Sequence, residues 1–255
     1  MKLPSFHWFR TVFYLIPAIS LYTIVLGSLS IASSFLGGRG QFAHACARMW
    51  SRLILVTTGV KVSHEGLEQL TPGTTYVFVS NHQSIYDIPV IFWTLPYQVR
   101  IIAKESLGSF PFLGWHLRRT GHLLVDRRNP DRAGILRRWR QLLADGLSLI
   151  IFPEGTRSRD GRVARFKAGS FLLAIEAGLP IVPMSLTGTR FVMTKGELTT
   201  RPGQANLVVH PPIHTAGGRW QPTVDDARDL AVEVQRTIAT GVEIAERAAG
   251  TWPSA

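Results

Sequence analysis

The stretch TYVFVSNHQSIYDIPVIFWTL, residues 75–95, changes structural period within a few residues. Thr75 to Ser80 is rich in β-branched and aromatic side chains, as a buried strand requires. Tyr86 to Leu95 reads as a short helix, with Pro89 held near its N-terminus because proline lacks a backbone donor and clashes in a helix interior. Ser84 is the candidate N-cap, and Asp87, three residues later, completes a near capping-box pattern. A strand running through a short loop into a helix is the repeating unit of an open α/β sheet, and such sheets bind ligands at their strand ends.

The same alternation continues on both sides. Gln41 to Val56 reads as a helix, Val60 to Ser63 and Val99 to Ala103 as strands. Asn129-Pro130-Asp131 is a helix start, followed by an apolar stripe of Ile135, Leu136, Trp139, Leu142 and Leu143 that ends at Gly146. Ser148 to Phe152 is an apolar strand leading into Pro153-Glu154-Gly155-Thr156-Arg157-Ser158. A helix over 166–177, strands over 181–186 and 206–210, and an amphipathic helix from Thr223 to about Ala248 complete the chain. The expected class is α/β, a largely parallel sheet flanked by helices, preceded by an N-terminal membrane-associated helical segment. The expected division is 1–58 for that segment and 59–255 for the α/β domain.

The membrane expectation rests on Thr11 to Gly38, where no residue is charged. A straight helix of that length reaches about 42 Å, against a hydrocarbon core of about 30 Å. Pro17, Gly27 and several serines also allow a kinked or hairpin segment within one leaflet. Lys2 and Arg10 lie before the stretch and Arg39, Arg48 and Arg52 after it, so flanking charge leaves topology undecided. Ser30-Ile31-Ala32 has the small-x-small form of a signal cleavage site, but the stretch is long for a signal core, and membrane attachment is the preferred reading.

The formal net charge of +11 is concentrated: residues 100–167 hold 15 Lys/Arg against 6 Asp/Glu, a surplus of 9. Such a region suits phosphate groups, nucleic acid or an acidic membrane surface, and the apolar N-terminus argues against nucleic acid. The single Cys46 excludes an internal disulfide and reads as a buried small residue, and no Cys/His cluster has zinc spacing.

His82 and Asp87 carry the chemistry. Five residues of continuous helix turn through about 500°, so the two side chains meet only if His82 precedes the helix and Asp87 lies in its first turn. A neutral imidazole takes a proton from an alcohol while a carboxylate fixes its tautomer. With no serine nucleophile attached, the hydroxyl comes from the substrate, the logic of direct group transfer. The bland alternative makes Asp87 a cap and His82 a surface residue.

Four blocks in a fixed order add to this pair: NHQSIYD at 81–87, AKESLGSFPFLG at 103–114 with GHLLVDR at 121–127, FPEGTRS at 152–158, and IVPMSLTG at 181–188, with RFKAGSF at 165–171 between the last two. From about Val60 to Pro212 the chain resembles the glycerolipid acyltransferases with an HxxxxD motif, typified by 1-acyl-sn-glycerol-3-phosphate acyltransferase. The resemblance implies a catalytic base at His82, oriented by Asp87, acting on the 2-hydroxyl of lysophosphatidic acid to give phosphatidic acid. It implies that Arg157 binds the acceptor phosphate, with Gly155 and Thr156 in the same loop and Lys104 adding positive charge. Glu154 would hold a glycerol hydroxyl or fix Arg157 through an ion pair. Arg127, Arg159 and Arg165 are secondary phosphate candidates, Gly108, Pro111 and Gly114 shape a loop, Pro183 bends a strand end, Ser84 is structural, and His210 and His214 are loop residues. Acyl-CoA or acyl carrier protein is the implied donor; no cofactor or metal is implied. Both donors are cytoplasmic, which places the expected active site on the cytoplasmic face of the cytoplasmic membrane. Sibling acceptors (glycerol-3-phosphate, a lyso-ornithine lipid, another lysophospholipid) remain alternatives, as do a lipid ester hydrolase and a non-catalytic membrane-binding protein.

Overall fold

The computed structural model describes residues 5–35, 40–126 and 132–251. The expected helix start at Asn129-Pro130-Asp131, Lys2, Arg39 and Arg127 lie outside these residues, and the side chains of Leu136 and Leu143 are likewise not described.

The chain opens with α1 (Phe6–Arg10), a π-helical turn (Thr11–Leu15) and α2 (Ile16–Ser33), which run on as one helix. Pro17 sits just inside α2, where its missing N–H is spared the regular ladder and the π turn absorbs the mismatch. The helix α3 (Gln41–Thr58) packs back along α2, making a hairpin. Then follow β1 (Val60–Glu65), β2 (Val77–Ser80), α4 (Asp87–Thr94), β3 (Val99–Lys104), α5 (Leu113–Arg119), β4 (Leu123–Val125), α6 (Arg132–Ala144), β5 (Ser148–Ile151), α7 (Gly169–Glu176), β6 (Ile181–Thr187), α8 (Thr189–Val192), β7 (Gly203–Val209) and α9 (Val224–Ala248).

Among the described residues seven strands form one sheet in the order β1-β7-β6-β2-β5-β3-β4. Every pairing is parallel except β6 with β7, where Ser185 opposes Val208. The expected α/β class and largely parallel sheet are therefore found. The antiparallel pair, the short strand β4 and helix α5 were not expected. Three strand residues give too little periodicity to read, and strand direction is a tertiary property.

Both faces of the sheet are covered, which explains why its central strands read as apolar runs rather than alternating ones. On β2, Phe78 joins Tyr86, Val90 and Ile91 beneath α3 and α4. Val77 and Val79 point the other way, towards Trp139 of α6, Phe171 of α7 and Leu230, Val234 and Ile238 of α9. α9 starts where its cap predicts: the Thr223 side chain accepts from the Asp226 N–H, and Asp225 and Asp226 lie against the positive end of the helix dipole.

The N-terminal helix is held at several points along its length and leaves apolar side chains outside. Arg10 donates to the carbonyls of Thr57 and Thr58, Trp50 donates to Thr23, and Ser30 hydrogen-bonds His116 Nδ1 at 2.6 Å. Phe6, Phe13, Leu21 and Val25 are exposed, so this helix is apolar on the side that no protein covers.

Candidate active site

The central parallel strands β2 and β5 are neighbours, and both end at the same edge of the sheet. The loop Asn81–Tyr86 leaves β2 there, and the loop that begins at Phe152 leaves β5 beside it. Asn81 anchors the first loop to β6, its side-chain amide exchanging two 2.8 Å hydrogen bonds with the backbone of Leu186.

α4 begins at Asp87, so His82 lies before the helix and Asp87 in its first turn. His82 Nδ1 meets Asp87 Oδ2 at 2.7 Å. The same Oδ2 accepts from the backbone N–H groups of Gln83 at 2.7 Å and Ser84 at 3.0 Å, and Oδ1 accepts from the Thr189 hydroxyl at 2.5 Å. The expected cap is thus reversed. Ser84 does not cap α4: its hydroxyl donates to the Met193 carbonyl and accepts, at 3.4 Å, from the Tyr86 N–H ahead of the helix, while the Asp87 carboxylate satisfies the free N–H groups of the preceding turn.

Asp87 is fully buried among donors, so Nδ1 of His82 carries the proton shared with it and Nε2 holds a lone pair. Nε2 has no hydrogen-bond partner among the described residues, and the side chain is 15% exposed. The ring stacks on Phe152 with centroids 4.3 Å apart, which fixes its plane. The result is an oriented imidazole whose one available basic atom faces the site.

The second loop locks onto the first. Glu154 Oε1 accepts from the His82 backbone N–H at 2.9 Å, Oε2 accepts from the Ala164 N–H at 3.2 Å, and the Ser158 N–H donates to the His82 carbonyl at 2.7 Å. Glu154 is buried; burial raises its pKa, while the hydrogen bonds from His82 and Ala164 act in the opposite direction. Its expected ion pair with Arg157 is absent among the described residues, since both oxygens serve backbone donors. In this geometry Glu154 bridges the two loops.

Gly155 takes φ +75°, a left-handed turn that favours glycine, and the Lys167 ammonium lies over it, 2.8 Å from where a Cβ would stand. Arg157 is half-buried, with no ion pair or hydrogen bond to its guanidinium among the described residues. Thr156 is exposed, and its hydroxyl accepts from Lys195 Nζ at 2.9 Å; the same ammonium donates to the Arg157 carbonyl at 2.6 Å. Lys104 is exposed at the end of β3, beside β5. Arg159 and Arg165 are exposed. Thr189, Lys167 and Lys195 were not singled out from sequence; Thr189 directly follows the IVPMSLTG block, but nothing local marks its contact with Asp87.

A family model described as Acyltransferase matches residues 61–187, spanning both loops and the strands that carry them. Human 1-acyl-sn-glycerol-3-phosphate acyltransferase alpha is 31% identical over 92% of this chain and 80% of its own length. The chain belongs to this acyltransferase family. A chloroplastic 1-acyl-sn-glycerol-3-phosphate acyltransferase of Arabidopsis thaliana is 35% identical over 76% of this chain, which spans 54% of that relative. A Chlamydomonas reinhardtii relative of the same description is 43% identical over 59% of this chain and 46% of its own. The chain thus spans about half the length of several curated relatives that it matches. The crystal structure of PlsC from Thermotoga maritima, a 1-acyl-sn-glycerophosphate acyltransferase, superposes with a TM-score of 0.81 at 28% identity, covering 94% of this chain and 98% of that one. For this acyltransferase-family chain, the histidine and aspartate predicted to work together are in contact, and the basic loop lies on the adjacent strand.

Proposed function

We propose that the protein transfers a fatty acyl group from acyl-CoA or acyl carrier protein to the 2-hydroxyl of lysophosphatidic acid, giving phosphatidic acid. The supporting observation is the imidazole of His82, fixed through Nδ1 by Asp87 and open at Nε2 beside a loop carrying Arg157. Nε2 takes the hydroxyl proton as that oxygen bonds to the thioester carbonyl carbon. The tetrahedral adduct collapses, the C–S bond breaks, and the proton on Nε2 passes to the departing thiolate. No covalent enzyme intermediate, cofactor or metal enters this sequence.

Arg157 offers a planar guanidinium with no internal partner among the described residues, suited to bidentate contact with the acceptor's phosphate. Lys195, Lys167 and Lys104 extend the positive field. The apolar helix Phe6–Ser33 holds the enzyme at its lipid substrate, in the cytoplasmic membrane with the site facing the donor on the cytoplasmic side.

The test is formation of labelled phosphatidic acid from lysophosphatidic acid and a labelled long-chain acyl-CoA. Wild type is expected to form product, and His82→Ala to lose it by at least about 10²-fold, as for a deleted general base. Equal product from both removes His82 from the mechanism. Free fatty acid released without an acceptor replaces acyl transfer with hydrolysis.

A further inference from the structure

The buried stripe of α9 runs Leu230, Val234, Ile238, Val242, at four-residue intervals, and its next member is Glu246. A carboxylate takes the place where the pattern calls for an apolar side chain, and only 1% of it is exposed. Burying a charge is costly unless it is paired and hydrogen-bonded. Glu246 Oε2 pairs with Arg190 NH2 at 2.9 Å, and Oε1 accepts from Gln83 Nε2 at a long 3.5 Å.

Both partners are chain neighbours of groups that hold Asp87. Gln83 lies next to His82, and its backbone N–H donates to Asp87 Oδ2. Arg190 follows Thr189, whose hydroxyl donates to Asp87 Oδ1. Gln83 Nε2 also donates to the Gly161 carbonyl at 3.2 Å, and Arg190 NH1 to the Asp160 carbonyl, in the loop whose Ser158 N–H holds the His82 carbonyl. Gly161 makes room for this: a Cβ there would lie 2.6 Å from the Arg190 guanidinium. Arg190 NH2 further donates to the Thr251 carbonyl at 2.7 Å, just beyond α9.

We infer that Arg190 and Glu246 are positioning residues for the His82–Asp87 pair, an ion pair through which the C-terminal helix clamps the loops on both sides of Asp87. They touch neither reacting atom. They fix Gln83 and Thr189, which together donate to both oxygens of the aspartate. A base misplaced by a fraction of an ångström loses rate before it loses affinity, so the pair acts on kcat. The acyl-transfer reading sets which reaction is measured, while the orientation of His82 can be read without turnover.

The test uses the full chain in detergent, with Glu246→Gln, Arg190→Lys and a His82→Ala control. Steady-state turnover is followed, together with the downfield proton resonance of an imidazole Nδ1–H bonded to carboxylate, assigned by its absence in His82→Ala. Glu246→Gln keeps shape and removes charge; it is expected to lower kcat by about 10-fold with KM for lysophosphatidic acid unchanged, and to broaden or shift the Nδ1 proton while cooperative unfolding is retained. Arg190→Lys, with one ammonium for several acceptors, is expected to move both readouts the same way. An unaltered resonance and an unaltered kcat in both folded variants would overturn the inference, as would a loss of stability with full turnover per folded molecule. If wild type shows the resonance but makes no phosphatidic acid, the substrate assignment fails and the resonance alone decides the clamp.

Discussion

Thr189 donates its hydroxyl to Oδ1 of Asp87 at 2.5 Å, from a position 102 residues further along the chain. This contact occupies the one aspartate oxygen that His82 does not, so the carboxylate is held from two directions. Thr189→Val keeps the shape and removes the donor. The expected result is a fall in kcat of about 10-fold with little change in KM, measured by steady-state acyl transfer. A variant with wild-type turnover would show that His82 and the Gln83 and Ser84 N–H groups suffice to place Asp87.

Glu154 gives a different prediction from the one its place in the EGTRS motif suggests. Both of its oxygens accept backbone N–H donors, so Glu154→Gln turns a buried NH2 towards one of them. Stability is expected to drop by about 1–3 kcal/mol in denaturant unfolding. Affinity for lysophosphatidic acid should change little, because the carboxylate is already satisfied within the protein. A large rise in KM at unchanged stability would return Glu154 to the substrate.

Arg157 should separate binding from chemistry. Arg157→Ala is expected to raise KM for lysophosphatidic acid by 10-fold or more, on the order of a lost charge-assisted phosphate contact, with kcat reduced less. Arg157→Lys should recover only part of this, since an ammonium cannot make the bidentate contact. Equal loss from both variants in kcat alone would place Arg157 in the transition state instead.

The junction between the N-terminal hairpin and the domain should be acid-sensitive. Burial lowers the pKa values of His44 and His116 from 6.5 to about 4, and Arg100 nearby acts in the same direction. His122, buried beside them, is pushed well below its ordinary value by the same causes. As pH falls from 6.5 towards 4 the unfolded chain takes up these protons and the folded one does not, so stability falls across that window. Each group contributes at most about 1.4 kcal/mol per pH unit. Unfolding midpoints from pH 7.5 to 4.5 should decline, and His116→Asn, which retains a partner for Ser30, should flatten the decline. An identical pH profile in the variant would remove His116 from the effect.

The exposed apolar side of the first helix should attach the enzyme to lipid. Leu21 and Val25 are 58% and 47% exposed, and aspartate at either position costs about 2.5–3.5 kcal/mol in hydrocarbon. The double variant Leu21→Asp, Val25→Asp is expected to leave sedimenting vesicles while retaining turnover of a short-chain acceptor in detergent. Full vesicle binding by the variant would show that this face does not enter the bilayer.

By itself the sequence determined the units of the fold and the chemistry they carry. Residues 75–95 declare a strand, a loop and a helix through composition and periodicity, and the five-residue spacing allows His82 and Asp87 to meet in one geometry only, which the fold adopts. Such features are local, encoded by residues within a turn or two of one another. Only the tertiary structure decided who satisfies whom across the chain. It gave Glu154 to the His82 backbone 72 residues away rather than to Arg157, set Thr189 on Asp87, brought Lys195 beneath Thr156, and turned β7 against β6. It also revealed that Glu246 continues an apolar stripe because the half-buried guanidinium of Arg190 meets it there. Hydrogen-bond and ion-pair partners are chosen by proximity after the sheet has formed, and no periodicity in the sequence records that choice.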